Sequence, residues 1–365
     1  MASASTYYQH LHQYPELSGQ EYKTAEYIVS CLQEMGYEPR RMGKTGVTAD
    51  LVADPALPWV LLRADIDALP IQEDSGLACA SRNEGVMHAC GHDSHTAMLL
   101  EAADRLKNEK LPQNIRFVFQ SAEETIHGAG EMIENGVIPE NLAACFAMHV
   151  WPGIPYGVPF ALPGPQMASS DMYKVTIHGK SAHCAQSHLG KDALQTAVAV
   201  AAKLPEIKAQ AEDPRSVLFL GNLHGGHTHN IVPDEASFAG TIRTYSPQDR
   251  AFLTSSVEAA VKEMTDRFGT TYDFVWDGNC PSVRNDPGLV KILSGLIPEL
   301  SSDTQPTLAA EDFARYQEFA PGVLIWLGAG DTAPLHNPRF TVPQELLPMG
   351  VSLWLKIAAY PWKAV

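Results

Sequence analysis

The strongest constraint on the fold is an apolar run that stops abruptly in acid. Trp59-Val60-Leu61-Leu62-Arg63-Ala64 is broken only by one arginine and ends at Asp65-Ile66-Asp67. A strand apolar on both faces needs cover on both, which a mostly parallel α/β sheet supplies. The pattern recurs. Ile115-Arg116-Phe117-Val118-Phe119 leads into Gln120-Ser121-Ala122-Glu123-Glu124, and a strand over 143–148 leads into His149. Val323-Leu324-Ile325-Trp326-Leu327 is another buried strand, with His336 beyond it after a glycine-containing loop. Helical patterns over 96–106 and 130–135 alternate with these strands. In such sheets ligands bind outside the C-terminal tips of the strands, so the polar tips can meet at one site.

A second stretch supplies metal-binding chemistry. Met87-His88-Ala89-Cys90-Gly91-His92-Asp93-Ser94-His95 holds three histidines, a cysteine and an aspartate in nine positions. Imidazole and thiolate are the ligands that borderline-soft dications prefer. Gly91 permits a tight turn that lets Cys90 and His92 converge. The competing reading is a polar loop that caps a helix, with Cys90 simply buried. With the strand tips added, Cys90, His92, Glu124, His149 and His336 can hold one metal, or two sharing a bridge. Neighbouring residues in extended chain point opposite ways. Glu123 and Glu124 therefore serve one site only if the chain turns there. One could then ligate while the other takes a proton from water. Asp67 reads as a carboxylate that orients a ligand. Singly, each residue is as well explained by surface placement or packing; together they carry weight.

A chain of 365 residues suggests about two domains. The net charge of −16, with no basic cluster, argues against nucleic acid and against an anionic membrane surface as partners. The six cysteines are scattered, which suits a reducing compartment. Residues 1–8 lack the features of a signal peptide, and no apolar run reaches membrane-spanning length. A cytoplasmic protein is expected. Residues 152–165 are rich in proline and glycine and mark a boundary. Beyond it, strands over 172–177, 216–222, 236–245 and 271–277 alternate with helices over 192–204 and 247–268, which suggests a small α+β sandwich. The expected architecture is a metal-binding domain of residues 1–165 and 284–365, with a mixed, mostly parallel sheet and helices on both faces. The sandwich, 166–283, is inserted into it.

The chain resembles the M20 metallopeptidase clan, in the aminoacylase/amidohydrolase branch of N-acyl-amino-acid deacylases, hippurate hydrolases and auxin-conjugate hydrolases. The matching stretches run in order through nearly the whole chain: His12-Gln13-Tyr14-Pro15-Glu16-Leu17-Ser18, Arg63-Ala64-Asp65-Ile66-Asp67-Ala68-Leu69-Pro70, residues 87–95, Ala122-Glu123-Glu124, Met148-His149-Val150-Trp151-Pro152, Ser181-Ala182-His183, Asn230-Ile231-Val232-Pro233-Asp234, Gly240-Thr241-Ile242-Arg243, Glu311-Asp312-Phe313 and Leu335-His336. The resemblance implies a catalytic domain interrupted by a lid that mediates dimerisation or higher self-association. It implies metal ligation by Cys90, His92, Glu124, His149 and His336, with Glu123 as general base. Cys90 stands where two-metal relatives carry a bridging aspartate, and Asp65 where they carry a histidine, so one or two ions per subunit are expected. Cys90 favours zinc, with manganese, cobalt or nickel as alternatives, over magnesium. His183 resembles the lid histidine that reaches a neighbouring active site and stabilises the oxyanion. Asn230 and Arg243 resemble the residues that hold the substrate's carboxylate. Ser121, Ser187, His229 and the run Thr125-Ile126-His127 depart from the family pattern, leaving His127 and His229 as candidates to line the substrate pocket. The expected activity is hydrolysis of the amide bond of N-acyl amino acids. The alternatives are a dipeptidase or carboxypeptidase with the same centre, and a non-catalytic binding module.

Overall fold

A computed structural model describes residues 2–363. The chain forms two compact units. The first comprises the chain up to Gln166, Val283–Pro306 and the chain from Asp312 onward; the second comprises Met167–Ser282 and Thr307–Glu311.

The first unit is built on a seven-stranded sheet. Its strands run in the order Arg40–Met42, Gly46–Leu51, Asn114–Gln120, Trp59–Asp65, Leu142–Pro152, Gly322–Gly330 and Pro159–Phe160. The four strands from Asn114–Gln120 to Gly322–Gly330 pair in parallel, and the outer strands pair antiparallel. Every residue of Asn114–Gln120 is buried, as a strand covered on both faces requires. On one face Val60, Leu62, Phe117, Phe146 and Ile325 join the core formed with the helices. On the other, Arg63 reaches the 3₁₀ segment Asp312–Glu318. Helix His92–Leu106 packs against the sheet and against helices Ala4–Gln13 and Leu347–Ala359. All its residues except Asp104 and Arg105 are buried, which is why it reads as apolar nearly all round.

The second unit is a four-stranded antiparallel sheet in the order Thr271–Cys280, Ser170–His178, Glu235–Arg243, Val217–Gly225. Helices Ala193–Lys208 and Pro247–Phe268 pack on it through Val200, Leu204, Leu253, Val257 and Val261, against Tyr173, Val175, Ile177 and Phe238. The ends of Pro247–Phe268 follow from local chemistry. The Ser246 side chain accepts from the Asp249 amide, proline occupies the first turn, and Gly269 turns left-handed (φ 67°).

Two expectations need correction. The strand expected over 143–148 extends over Leu142–Pro152, so His149 lies within it, opposite Trp326, and not beyond its end. Thr307–Glu311 belongs to the second unit, where the Ala168 amide bonds the Thr307 and Ala309 carbonyls. Among the described residues no helix is long and apolar enough to cross a membrane. No disulfide joins the described cysteines.

The N-terminal helix is tied down by a buried ionic cluster. His12 Nδ1 lies 2.5 Å from Asp93 Oδ2, and Nε2 lies 3.1 Å from Glu73 Oε1. Burial opposes a charge on His12, but Asp93 and Glu73 outweigh it and push the imidazole up to about 10. The sign follows from linkage. A histidine with a raised folded pKa stabilises fully below its ordinary value of about 6.5, and loses that contribution as pH climbs toward the folded value. We expect the stability advantage of the native protein over His12→Gln, read by urea unfolding, to be largest at pH 6 and to shrink steadily toward pH 10. A constant difference across that range rules out a charged His12.

Candidate metal centre

Local backbone brings the ligand set together. Gly91 adopts φ 88°, and a Cβ there would lie 2.4 Å from Val150 Cγ2, so only glycine fits between Cys90 and His92. His92 opens its helix with Nδ1 2.9 Å from the Asp67 carbonyl and 3.2 Å from Asp67 Oδ1. A carbonyl can only accept, so Nδ1 carries a proton and Nε2 is the nitrogen left to ligate once its own proton is displaced. His149 is set the same way. Its Nδ1 donates to the Val150 carbonyl at 2.6 Å, and Nε2 lies 3.4 Å from Cys90 Sγ.

The paired glutamates meet the condition the sequence posed. Their strand ends at Gln120, and Ala122 takes the left-handed region at φ 53°. The turn faces both side chains to one imidazole edge. Glu123 Oε2 lies 3.9 Å and Glu124 Oε1 3.8 Å from His92 Nε2. His336, also left-handed at φ 65°, donates its amide to the Ala89 carbonyl at 2.8 Å and brings Nε2 within 3.5 Å of Glu124 Oε2. Cys90, His92 and His149 form one group with ligand atoms within 4.8 Å of one another, and Cys90, Glu124 and His336 form another.

The chemistry of this group fits a dication. His92 Nε2 and Glu124 Oε1 are buried without a hydrogen-bond partner, an arrangement folded proteins avoid unless something else satisfies such atoms. Burial, then Glu124, Glu123 and Asp65, push the Cys90 thiol well above its ordinary range. Burial disfavours a charged His92, yet Asp65, Asp67 and Glu124 raise it to about 10. Burial and then His95 hold His149 far down, neutral and free to ligate. The carboxylates around His92 thus favour a positive charge among these side chains; a bound dication would supply it in place of the protons on His92 Nε2 and Cys90 Sγ.

The sequence model of peptidase family M20/M25/M40 matches residues 61–360. The chain belongs to this family. It is a hydrolase, similar along most of its length to other hydrolases of the family. The N-acetyl-L-cysteine deacetylase of Bacillus subtilis (strain 168) is 38% identical over 346 residues, 93% of this chain and 83% of that one. The N-acyl-L-amino acid amidohydrolase of Geobacillus stearothermophilus is 39% identical over 287 residues, 76% of this chain and 77% of that one. Among solved structures, the YXEP protein of Bacillus subtilis, a dinuclear metal binding peptidase of the M20 family, superposes with a TM-score of 0.85 at 32% identity, covering 99% of this chain and 98% of that one.

In this M20 chain several residues of the matching stretches support the candidate ligands. Asp65 lies 3.7 Å from His92 Nε2, yet its oxygens are engaged by Arg63 Nη1 at 2.7 Å and His95 Nδ1 at 2.6 Å. His95 Nε2 in turn accepts the Val150 amide at 2.8 Å, just after His149. The i, i+3 spacing of His92 and His95 was the readable signal for that link. Asp67 also contacts the turn at Glu124. Its Oδ2 accepts from Ser18 Oγ at 2.7 Å and from the Glu124 amide at 3.0 Å.

The second unit brings only some of its candidates together. His183 and Asn230 are on adjoining segments, with the Cys184 amide bonded to the Asn230 carbonyl at 3.0 Å; both side chains are exposed. Arg243 ends the strand Glu235–Arg243, whereas Asn230 precedes its start. At about 3.3 Å per residue this nine-residue strand spans about 25 Å from Glu235 to Arg243. His127 and His229 are both exposed, the first just before helix Gly128–Glu134.

Proposed function

We propose that the protein hydrolyses the amide bond of N-acyl amino acids, releasing the free amino acid and a carboxylate. The observation that carries this reading is the turn at Ala122, which faces two adjacent carboxylates to the edge of one imidazole. Cys90, His92, Glu124, His149 and His336 would hold the ion, with zinc preferred on the strength of the thiolate, and manganese, cobalt or nickel as competitors. The two overlapping ligand groups admit one ion or two. When bound, a divalent cation supplies Lewis acidity, polarising the acyl carbonyl and acidifying water. Glu123 takes the proton from the attacking water and returns it to the departing amine. Asp67 holds His92 in its tautomer and fixes the amide of Glu124. His183 donates to the oxygen that gains charge, and the guanidinium of Arg243 holds the substrate's carboxylate.

Arg243 ends a nine-residue strand that Asn230 precedes, so the two would serve a single substrate most directly with each supplied by a different copy, which favours a homodimer. A monomer with full activity at working concentration would argue against that assembly. The six cysteines, scattered through the sequence, favour a reducing cytoplasm. The activity is tested with N-acetyl amino acids, longer N-acyl amino acids and free dipeptides, assayed on protein loaded in turn with Zn, Mn, Co and Ni. Turnover of N-acyl amino acids well above dipeptides is expected. Faster dipeptide cleavage with every ion would overturn the assignment.

A further inference from the structure

The segment between the first two helices contributes no group to the reaction described above, yet it is bonded into the centre. Glu21 makes the most consequential of these contacts. It stands at the N-cap of helix Tyr22–Glu34 but makes no side-chain cap bond to that helix. Its carboxylate is fully buried. Oε1 accepts the Ala122 amide at 2.8 Å and the Gly19 amide at 2.8 Å, and Oε2 accepts the Thr45 hydroxyl at 2.6 Å. Burying a carboxylate is costly, and these three donors offset the cost. Burial raises the group above the usual carboxylate range, while the bonds from Thr45 and Gly19 act to lower it.

Ala122 needs such a hold. It is a non-glycine residue at φ 53°, a conformation that persists only when the surroundings impose it. Its strand has already ended, so its amide has lost the ladder partner. On the far side, the Gly128 amide donates to the Ala122 carbonyl at 3.2 Å, and a Cβ on Gly128 would strike the Ser121 carbonyl oxygen at 1.5 Å. The turn is therefore gripped at both peptide groups of Ala122, and Glu123 follows directly.

We propose that Glu21 is a positioning residue for the general base: by accepting the Ala122 amide it holds the left-handed turn that aims Glu123. The inference rests on Glu123 being that base. Two variants separate reach from charge. Glu21→Gln keeps an oxygen for the Ala122 and Gly19 amides, and its own amide can donate to the Thr45 hydroxyl. Glu21→Asp keeps the charge but falls one methylene short. Hydrogen exchange at the Ala122 amide, measured on metal-free protein, should quicken at least about tenfold in Glu21→Asp and stay near native in Glu21→Gln. In metal-loaded protein, kcat should fall at least about tenfold in Glu21→Asp, with KM and bound metal within about twofold of native, while Glu21→Gln stays within about threefold throughout. Unchanged exchange at Ala122 in Glu21→Asp overturns the proposal, and so does a Gln variant as impaired as the Asp one. The exchange measurement does not involve catalysis. If Glu123 proves not to be the base, altered exchange without a change in kcat shows that the clamp exists and the catalytic assignment has failed.

Discussion

Glu123→Gln should cost about 10² to 10⁴-fold in kcat and leave the bound metal unchanged. The expectation comes from geometry. Glu124 already offers Oε1 to His92 at 3.8 Å and Oε2 to His336 at 3.5 Å, so it lies between two candidate ligand histidines. Glu123 faces the same His92 edge at 3.9 Å from the other side of the turn. A carboxylate beside a cation site but not needed to build it is suited to proton transfer. The glutamine isostere keeps volume and hydrogen bonding and loses only the basic oxygen pair. Metal analysis, a thermal melt and steady-state kinetics on the same preparation decide the matter. An active variant with full metal removes Glu123 from the reaction. An inactive variant that has lost its metal makes Glu123 a ligand instead.

The largest effect on stability should come from Arg63→Met, at about 3–5 kcal/mol. Arg63 is 1% exposed. Its Nη1 donates to Asp65 at 2.7 Å, Nη2 to Asp312 at 3.0 Å and Nε to Gln120 at 2.8 Å. Gln120 and the Ala129 amide also bond Asp312, so the network joins two strands, a helix start and the 3₁₀ segment under the sheet. Burial alone would drive Asp65 toward its neutral form; His92, His95 and Arg63 together hold it far below the ordinary carboxylate range. Without Arg63, buried carboxylates lose their fixed countercharge. The denaturant midpoint at fixed metal content measures the loss. Adding Asp65→Asn and Asp312→Asn should recover part of it, because the uncompensated charges are then gone. A single variant within 1 kcal/mol of native would mean the arginine is replaceable by packing alone.

What could be read from the sequence was whatever depends on local pattern. The buried strands announced themselves as apolar runs, and Pro247–Phe268 carried its own start and stop in Ser246, Pro247 and Gly269. The candidate ligands were legible because cysteine, histidine and glutamate at strand tips are chemically conspicuous. The turn at Ala122 was posed as a requirement but could not be located, because an alanine gives no sign that it will adopt positive φ. Glu21 was invisible for a related reason: its partner is a backbone amide about a hundred residues away. That Asn230 and Arg243 lie toward opposite ends of one strand was not legible, because sequence shows which residues are present but not which end of a strand each occupies. The strand carrying His149 was placed too short, since a histidine and a tryptophan inside a buried strand look like a terminus.

The sheet order also bears on how the chain is made. Gly322–Gly330 lies between Leu142–Pro152 and Pro159–Phe160, strands synthesised some 170 residues earlier. While the ribosome is still adding that interval, Leu142–Pro152 presents an open apolar edge, the kind of template on which incomplete chains pair with one another. Premature termination anywhere before Gly322 leaves that edge bare. Truncated products of this gene should consequently be recognised by their stickiness and handed to chaperones or proteases, rather than persist as quiet fragments.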